Sequence, residues 1–502
     1  MQSHNHLKMN IRLHISTALA CTAALFSSCD SYLDVEPKGR TQLETTDDYL
    51  GLLEEVSPNY DHANSLNICN EASWYKVEEL KNYTSPLRSA GFLWNEDYDR
   101  TAVTINSYLY NNCYNRITNY NVIISNIHTA KGPDSDKALA MAQAKIMRAY
   151  NYFFLVNTFA KPYDPATADN TNGIIVREKM FESIEEKGVQ QSVGYTYNFI
   201  QKDIDEAIAD LPHTALNSFR PDKTFGYAFK AKVHLFKREI DECIAACLDA
   251  LAEAPAGKHE LWDMNDEYNR YSPQLLMAYG TDRAIDRPEF MGLNDAIESI
   301  WKNGVQKGYD APENLLYQFG TTYNDPFPMY LTADVISLFD QQADLRMLYC
   351  LRYRRSHETA PEGDREFASM GIRWNPSGMR LSEVYLMLAE CYARKGSPAD
   401  IAQAMNYLDI IRSRRNISSR YTRLTTSDAA EALKFVREER KRELFFTYNG
   451  FFDLRRFCTE FNETLTKEFE GETYTLSPNS TLLTFPFPLK AMQTSDLKQN
   501  SK

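Results

Sequence analysis

The sequence predicts a mainly α-helical fold in which helix hairpins pack beside irregular, loop-rich segments. Three observations carry that expectation. Apolar residues recur at i, i+3, i+4 and i+7 through several segments, the spacing of a helix face. Those segments end at Pro or Gly, the residues that stop helices. Between them lie long stretches without any period, dense in Tyr, Asn, Asp and Pro. The chain has 502 residues, 43% of them hydrophobic and 25% charged, with 31 Tyr. That composition is globular and the length allows a large core.

The chain opens with "LHISTALACTAALF", Leu13 to Phe26, preceded by Lys8 and Arg12. A basic start, a short apolar run and small residues at its exit describe a secretory signal. Its 14 residues fall short of the about 20 needed to span a bilayer. Ser27 and Ser28 then lead into Cys29, a thiol placed for acylation. Residues 1–28 are therefore expected to be a lipoprotein-type signal peptide, with Cys29 lipidated and anchoring the mature chain. Cys21, after "ALA", is a rival site, an ordinary cleavage site that contains a Cys is the plainer reading, and Met9 is a second candidate start. The seven later cysteines are scattered and specify no disulfide framework. Cys243 and Cys247 share a helical face and read as core residues.

Helical signals follow in order. "AKIMRAYNYFFLVNTFAKPYDP" places Ile146, Ala149, Tyr150 and Phe153 on one face and stops at Pro162. "VGYTYNFIQKDIDEAIADLP" does the same with Tyr197, Ile200, Ile204 and Ile208. "TFGYAFKAKVHLFKREIDECIAACLDALAEAP" reads as two short helices broken near Arg238, ending at Pro255. "RLSEVYLMLAECYARKG" carries Leu381, Val384, Tyr385, Leu388 and Tyr392 on one face with Gly396 as its stop, and "PADIAQAMNYLDIIRSRR" returns. These pairs resemble tetratricopeptide-type hairpins without the strict consensus. The helical scaffold is expected mainly over about 105–255 and 380–457, with loop-rich segments about 52–104 and 256–370. The tail "YTLSPNSTLLTFPFPLKAM" reads as extended, because Pro486 and Pro488 oppose helix.

Formal net charge is −13, which disfavours nucleic acid as a partner, since phosphates draw Lys and Arg clusters. No phosphate-binding loop, H-E-x-x-H or G-x-S-x-G is present. Six His follow the leader, none within ten residues of another, so no metal site is expected from neighbouring ligands. No cofactor is expected. Glu383 and Glu390, seven apart on one helix, read as buried partners of Arg380 and of arginines in "IIRSRR" and "REERKRE" rather than as a catalytic pair. The chain is expected not to be an enzyme.

An ordered set of segments resembles the SusD/RagB family of outer-membrane nutrient-binding lipoproteins of Bacteroidetes. "DSYLDVEPKG" after Cys29 is similar to the family's opening, and "LYNNCYNRITNYNVIISNI" to its first long helix. "AKIMRAYNYFFLVNTFAKPY" is similar to its most characteristic helix, with Ala160 where a Gly is usual. "REERKRELFFTYNGFFDLRRF" resembles the closing signature, through Glu439, Arg440, Glu443, Asp453, Leu454 and Arg456. "FPFPLKAM" resembles the terminal Pro-containing strand, with its usual acidic residue missing or displaced to Asp496. The resemblance spans nearly the whole mature chain and implies one SusD-like domain over 29–502. It further implies surface anchoring by lipid, capture of an oligosaccharide or, in some members, a peptide, and a SusC-like TonB-dependent transporter as partner.

Sugar rings stack on exposed Trp and Tyr, while Asn, Asp and Arg grip hydroxyls. The residues expected to bind ligand are Trp74 and Tyr75 in "NEASWYK", Trp94 and Asn95 in "GFLWNED", Tyr268, Tyr271 and Tyr279, and Tyr323 and Asn324 in "TTYND". Each aromatic could equally be core. Trp301 reads as a buried strand residue, and Trp262 and Trp374 are unassigned. The competing functions are a non-catalytic envelope scaffold and a surface glycoside hydrolase. The aromatic loops disfavour the first, and the lack of a local catalytic constellation disfavours the second.

Overall fold

The computed structural model describes residues 43–55, 66, 73–74, 86–180, 186–280, 308–318, 330–354, 366–369 and 375–500. Thr46–Lys502 cluster into one unit, to which everything below belongs, and Met1–Thr45 into another. The long helices are α1 (Tyr108–Asn126), α2 (Asp134–Phe159), α3 (Val193–Ile208), α4 (Lys223–Lys237) and α5 (Ile240–Gly257). They continue with α6 (Met264–Tyr279), α7 (Leu381–Lys395), α8 (Pro398–Arg415), α9 (Ala429–Glu443) and α10 (Asn449–Glu460).

Local chemistry sets these boundaries. Ser107, Ser192, Asp222, Ser397 and Asp428 each accept a backbone N–H from the first turn of the helix that follows, a cap worth about 1 kcal/mol. Arg238, at the predicted break, takes left-handed φ of 64° and ends α4, and Gly396 does so at 72° to end α7. A Cβ on Gly396 would sit 3.3 Å from the Ala429 Cβ, so this tight turn brings α7 close to α9.

Each of α1 to α5 packs on its neighbour in sequence, and α7 packs on α5 as well as on α8 and α9. The two separated helical stretches of the sequence thus join into one stack. The centre of the stack is α2. Ile146, Ala149, Tyr150 and Phe153 are fully buried, as expected, but so is almost everything else from Ala142 to Phe159, Lys145 excepted. A helix buried on all sides belongs in an interior, and its buried Arg148 is paired with Asp203 at 2.7 Å. Here Phe225 and Phe229 cover Tyr150 from α4, and Phe452 packs on Phe153 and Phe154 from α10.

Buried charge ties the stack together. Arg346, at 0% exposure, donates to Asp344, Glu439 and Glu443 at 2.7–3.0 Å. Arg415 bridges Glu443 and Glu313 at 2.8–3.3 Å, and Arg380 joins Glu443 at 3.1 Å. A second set links Glu390 to Arg456 and Arg394. Lys232 joins Glu383 at 2.7 Å and Asn449 at 2.6 Å. Glu383 and Glu390 are therefore buried ion-pair partners, as expected, but their main partners are Lys232 for Glu383 and Arg394 and Arg456 for Glu390, not Arg380 or the arginines of "IIRSRR".

Among the described residues, ten short strands complete the fold: β1 (Ser73–Trp74), β2 (Asn172–Ile175), β3 (Gln190–Ser192), β4 (Asn314–Leu316), β5 (Tyr330–Leu331), β6 (Leu351–Arg354), β7 (Glu366–Ser369), β8 (Met379–Arg380), β9 (Leu465–Phe469) and β10 (Glu472–Leu476). Strands β1, β5, β7 and β6 form an antiparallel sheet in that order, with Trp74 opposite Tyr330 and Tyr330 opposite Ala368. The pair β4–β8 sets Asn314 opposite Arg380 and so joins the loop-rich part to the start of α7.

Two expectations are corrected. The stretch 256–370 is not wholly irregular: α6 forms there, capped by Asp263, acidic in its first turn and closed by Gly280 at φ 68°. Its Pro273, which argues against helix, is tolerated in the interior. The tail is not extended throughout, because Leu489–Gln493 makes a short helix. Pro488 is its N-cap, a place where proline's missing N–H costs nothing. Among the described residues, no helix is long and apolar enough to cross a membrane.

Candidate functional site

The structure separates the aromatics proposed from sequence. Trp74 occupies β1, at the edge of the four-stranded sheet. Tyr268, Tyr271 and Tyr279 all fall on α6, and Tyr268 is half-buried. Asn95 is exposed, its side-chain oxygen accepting the Asp97 N–H at 3.0 Å. Cys29, Tyr75, Trp301, Tyr323, Asn324 and Trp374 lie outside the described residues.

Trp94 is a correction. It is only 4% exposed and packs with Leu454, Cys458, Leu476, Leu482 and Leu483. The backbone turns there at φ 50°, and the Lys467 ammonium sits 4.3 Å from the ring centroid. The hairpin β9–β10 brings that lysine and Leu476. The ring is a core residue and offers no open face for stacking.

A concave site lies where α5 ends and α6 begins. Gly257 closes α5, and only glycine fits: a Cβ would lie 2.6 Å from His259 Cδ2 and 2.8 Å from Thr224 Oγ1. His259 then reaches Asp222 Oδ2 at 2.7 Å through Nε2 and the Pro312 carbonyl at 3.1 Å through Nδ1. Both partners can only accept, so both ring nitrogens must donate and the ring is an imidazolium. Burial works against that charge, but the Asp222 hydrogen bond and charge, with the Pro312 carbonyl, outweigh it and raise the pKa. Asp222 also caps α4 through its other oxygen.

Three residues on, the Trp262 N–H donates to Glu313 Oε2 at 2.8 Å and its carbonyl accepts from Arg415. The turn is thereby pinned to the buried charge lattice. Asp263 caps α6 through the Asn265 N–H at 3.0 Å. The result is a cleft of about 450 Å³ bounded by Leu251 and Pro255 of α5, Trp262 on the turn, Asp266 of α6, Tyr385 of α7 and Arg414 of α8. Sequence reasoning left Trp262 unassigned. The acid-rich "HELWDMNDEY", a cap followed by a first turn, was the available signal.

Catalytic features are weak. Glu390, Glu439 and Glu443 have their pKa values held down: burial pushes upward, but the surrounding arginines win. Such carboxylates are fixed ionised partners, unsuited to shuttling protons near neutrality. Among the described residues, no group of three His, Cys, Asp or Glu is placed to hold a metal ion.

Comparisons with known proteins agree with this architecture. Residues 362–488 match the model described as the SusD family, and residues 31–235 the model described as starch-binding associating with outer membrane. No curated protein matches the chain. Among solved structures, the chain is similar to a SusD superfamily protein from Bacteroides thetaiotaomicron, at 18% identity and TM-score 0.66, covering 91% of this chain and 100% of that one. It is similar to a SusD-like carbohydrate-binding protein from Bacteroides vulgatus, at 15% identity and TM-score 0.59, covering 90% and 97%. It is also similar to a laminarin-binding SusD-like protein, at 16% identity and TM-score 0.58, covering 91% and 99%. At these identities the likeness establishes the shared fold.

Proposed function

The chain belongs to the SusD/RagB family, and from that premise we propose that it is a lipid-anchored, cell-surface binding protein. It captures an oligosaccharide and delivers it, uncleaved, to a SusC-like TonB-dependent outer-membrane transporter. The observation that carries this reading is the pair of family matches flanking the irregular middle of the chain, one of them described as starch-binding and outer-membrane-associated. The N-terminal apolar run ending at Cys29 supports the anchor. Trp74, Tyr75, Asn95, Tyr268, Tyr271, Tyr279, Tyr323 and Asn324 are the residues proposed to meet the ligand.

The test is electrophoresis of the mature protein through native gels cast with laminarin or starch. Retardation by either is expected, with no reducing sugar released. Sustained release would make the protein a hydrolase, and binding of peptides alone would move it to the peptide-binding members. Trp74→Ala should weaken binding by at least about 1 kcal/mol without changing the melting temperature. Cys29→Ala should free a binding-competent protein from the membrane. Co-purification of the anchored form with a TonB-dependent barrel would test the partner.

A further inference from the structure

We infer that the cleft between α5, α6, α7 and α8 is a sugar subsite, taking one hexose ring of the captured glycan. The inference rests on the capture reading and adds a place on the helical frame where that capture occurs. Its volume, about 450 Å³, lies within the roughly 300–1,000 Å³ of small-molecule sites.

The lining selects the ligand class. Trp262 and Tyr385 are both half-buried in the wall, and aromatic faces suit the C–H face of a pyranose. Glu260 and Asp266 are exposed at the rim, and neither carboxylate has a hydrogen bond or ion pair among the described residues. Arg414 commits one nitrogen to the Ile410 carbonyl of its own helix, at 2.8 Å. The Trp262 indole N–H has no partner but is enclosed, so the donors at the cleft wall are the remaining Arg414 nitrogens. The cleft therefore offers uncommitted acceptors and donors together. A hydroxyl both donates and accepts, so a neutral polyol can meet both kinds. A phosphate would face Glu260, Asp263, Asp266 and Glu267 against Arg414 and a His259 already committed to Asp222, and an apolar ligand would strip these groups of water without replacing it.

The position is also built rather than incidental. His259, Glu313 and Arg415 fix the turn that carries Trp262 to the buried lattice. The wall is thus held in place before any ligand arrives, which reduces the ordering cost of binding.

Calorimetric titration of the mature protein with laminarihexaose and maltohexaose tests this, with Asp266→Asn and Tyr385→Phe as variants. Both keep side-chain volume, and Asp266 is exposed, so its exchange leaves folding intact. Each variant is expected to lower affinity for the bound hexasaccharide by about 2- to 10-fold, one hydrogen bond's worth, with the melting temperature unchanged. If the wild type binds and both variants bind equally well, the subsite is wrong while the capture reading stands. If the wild type binds neither glycan nor a gel of laminarin or starch, capture and subsite fall together. If trilysine binds instead and Asp266→Asn abolishes it, the cleft takes cations and the sugar assignment is overturned.

Discussion

The buried lattice beneath α9 and the rim of the cleft are made of the same residue types and behave oppositely. Glu443, at 0% exposure, accepts from Arg346, Arg380 and Arg415 at once. Glu260, on the turn into α6, and Asp266, in the first turn of α6, accept from no side chain among the described residues. The difference is one of topology. "REERKRE" ends α9 where α7, α8, β8 and Arg346 converge, so Glu439 and Glu443 each meet several guanidinium groups. The turn after α5 instead faces outward over a gap between helices. Closed charge holds the frame, and charge left open is available to something else.

The largest effect should come from opening the lattice. Glu443→Gln removes one negative charge facing three buried arginines, and breaking such a set by one partner costs about 3–5 kcal/mol. Urea unfolding would measure it. The pH dependence has a definite sign. The Glu443 pKa is lowered to about 2, because Arg415, Arg380 and Arg346 outweigh the burial that acts to raise it. A depressed carboxylate stabilises the fold fully above its unfolded pKa, about 4.3, and that stability is lost as pH falls toward the folded value. The wild type should therefore weaken below about pH 4, while the Gln variant, lacking the group, should show a flatter acid limb.

A second test asks whether Trp94 belongs to the frame. As a core residue, its change to Ala should cost about 3–5 kcal/mol, whereas Asn95→Ala, one position on and exposed, should stay within about 0.5 kcal/mol. If Trp94→Ala instead leaves the melting temperature intact and abolishes glycan retardation, its core placement is wrong.

These two neighbours show what sequence could reveal. The helices were legible because their information is local: Ile146 to Phe153 repeats at 3.6 residues, and Gly396 marks the stop of α7. The family's ordered segments were legible for the same reason. Trp94 was not, because what buries it, Leu454 through Leu483 and Lys467, arrives from the far end of the chain. The cleft was illegible on the same ground. Its turn is set by Glu313 and Arg415, 102 residues apart, and nothing local to Trp262 announces either. Tyr268, Tyr271 and Tyr279 were found as residues but not as one helix, since Pro273 masked the period.

A third, smaller effect probes the seam between lattice and cleft. His259 has a raised folded pKa, so its contribution is fully present below the unfolded value of about 6.5 and fades as pH rises through the folded one. The stability gap between wild type and His259→Gln should be widest in mild acid and narrow in alkaline buffer. A gap independent of pH from 5 to 9, on the order of the range that brackets a histidine, would mean the ring is neutral and the paired donation to Asp222 and Pro312 is wrong.

The smallest effect is the most discriminating. Glu260→Gln is the same exchange as Glu443→Gln, made where the carboxylate has no partner. With no ion pair to break and its side chain in water, stability should move by no more than about 0.5 kcal/mol. If both exchanges cost several kcal/mol, the rim is part of the frame and the contrast between closed and open charge fails. If Glu260→Gln leaves urea unfolding unchanged but alters hexasaccharide affinity, the charge that folding leaves unused is charge the ligand uses.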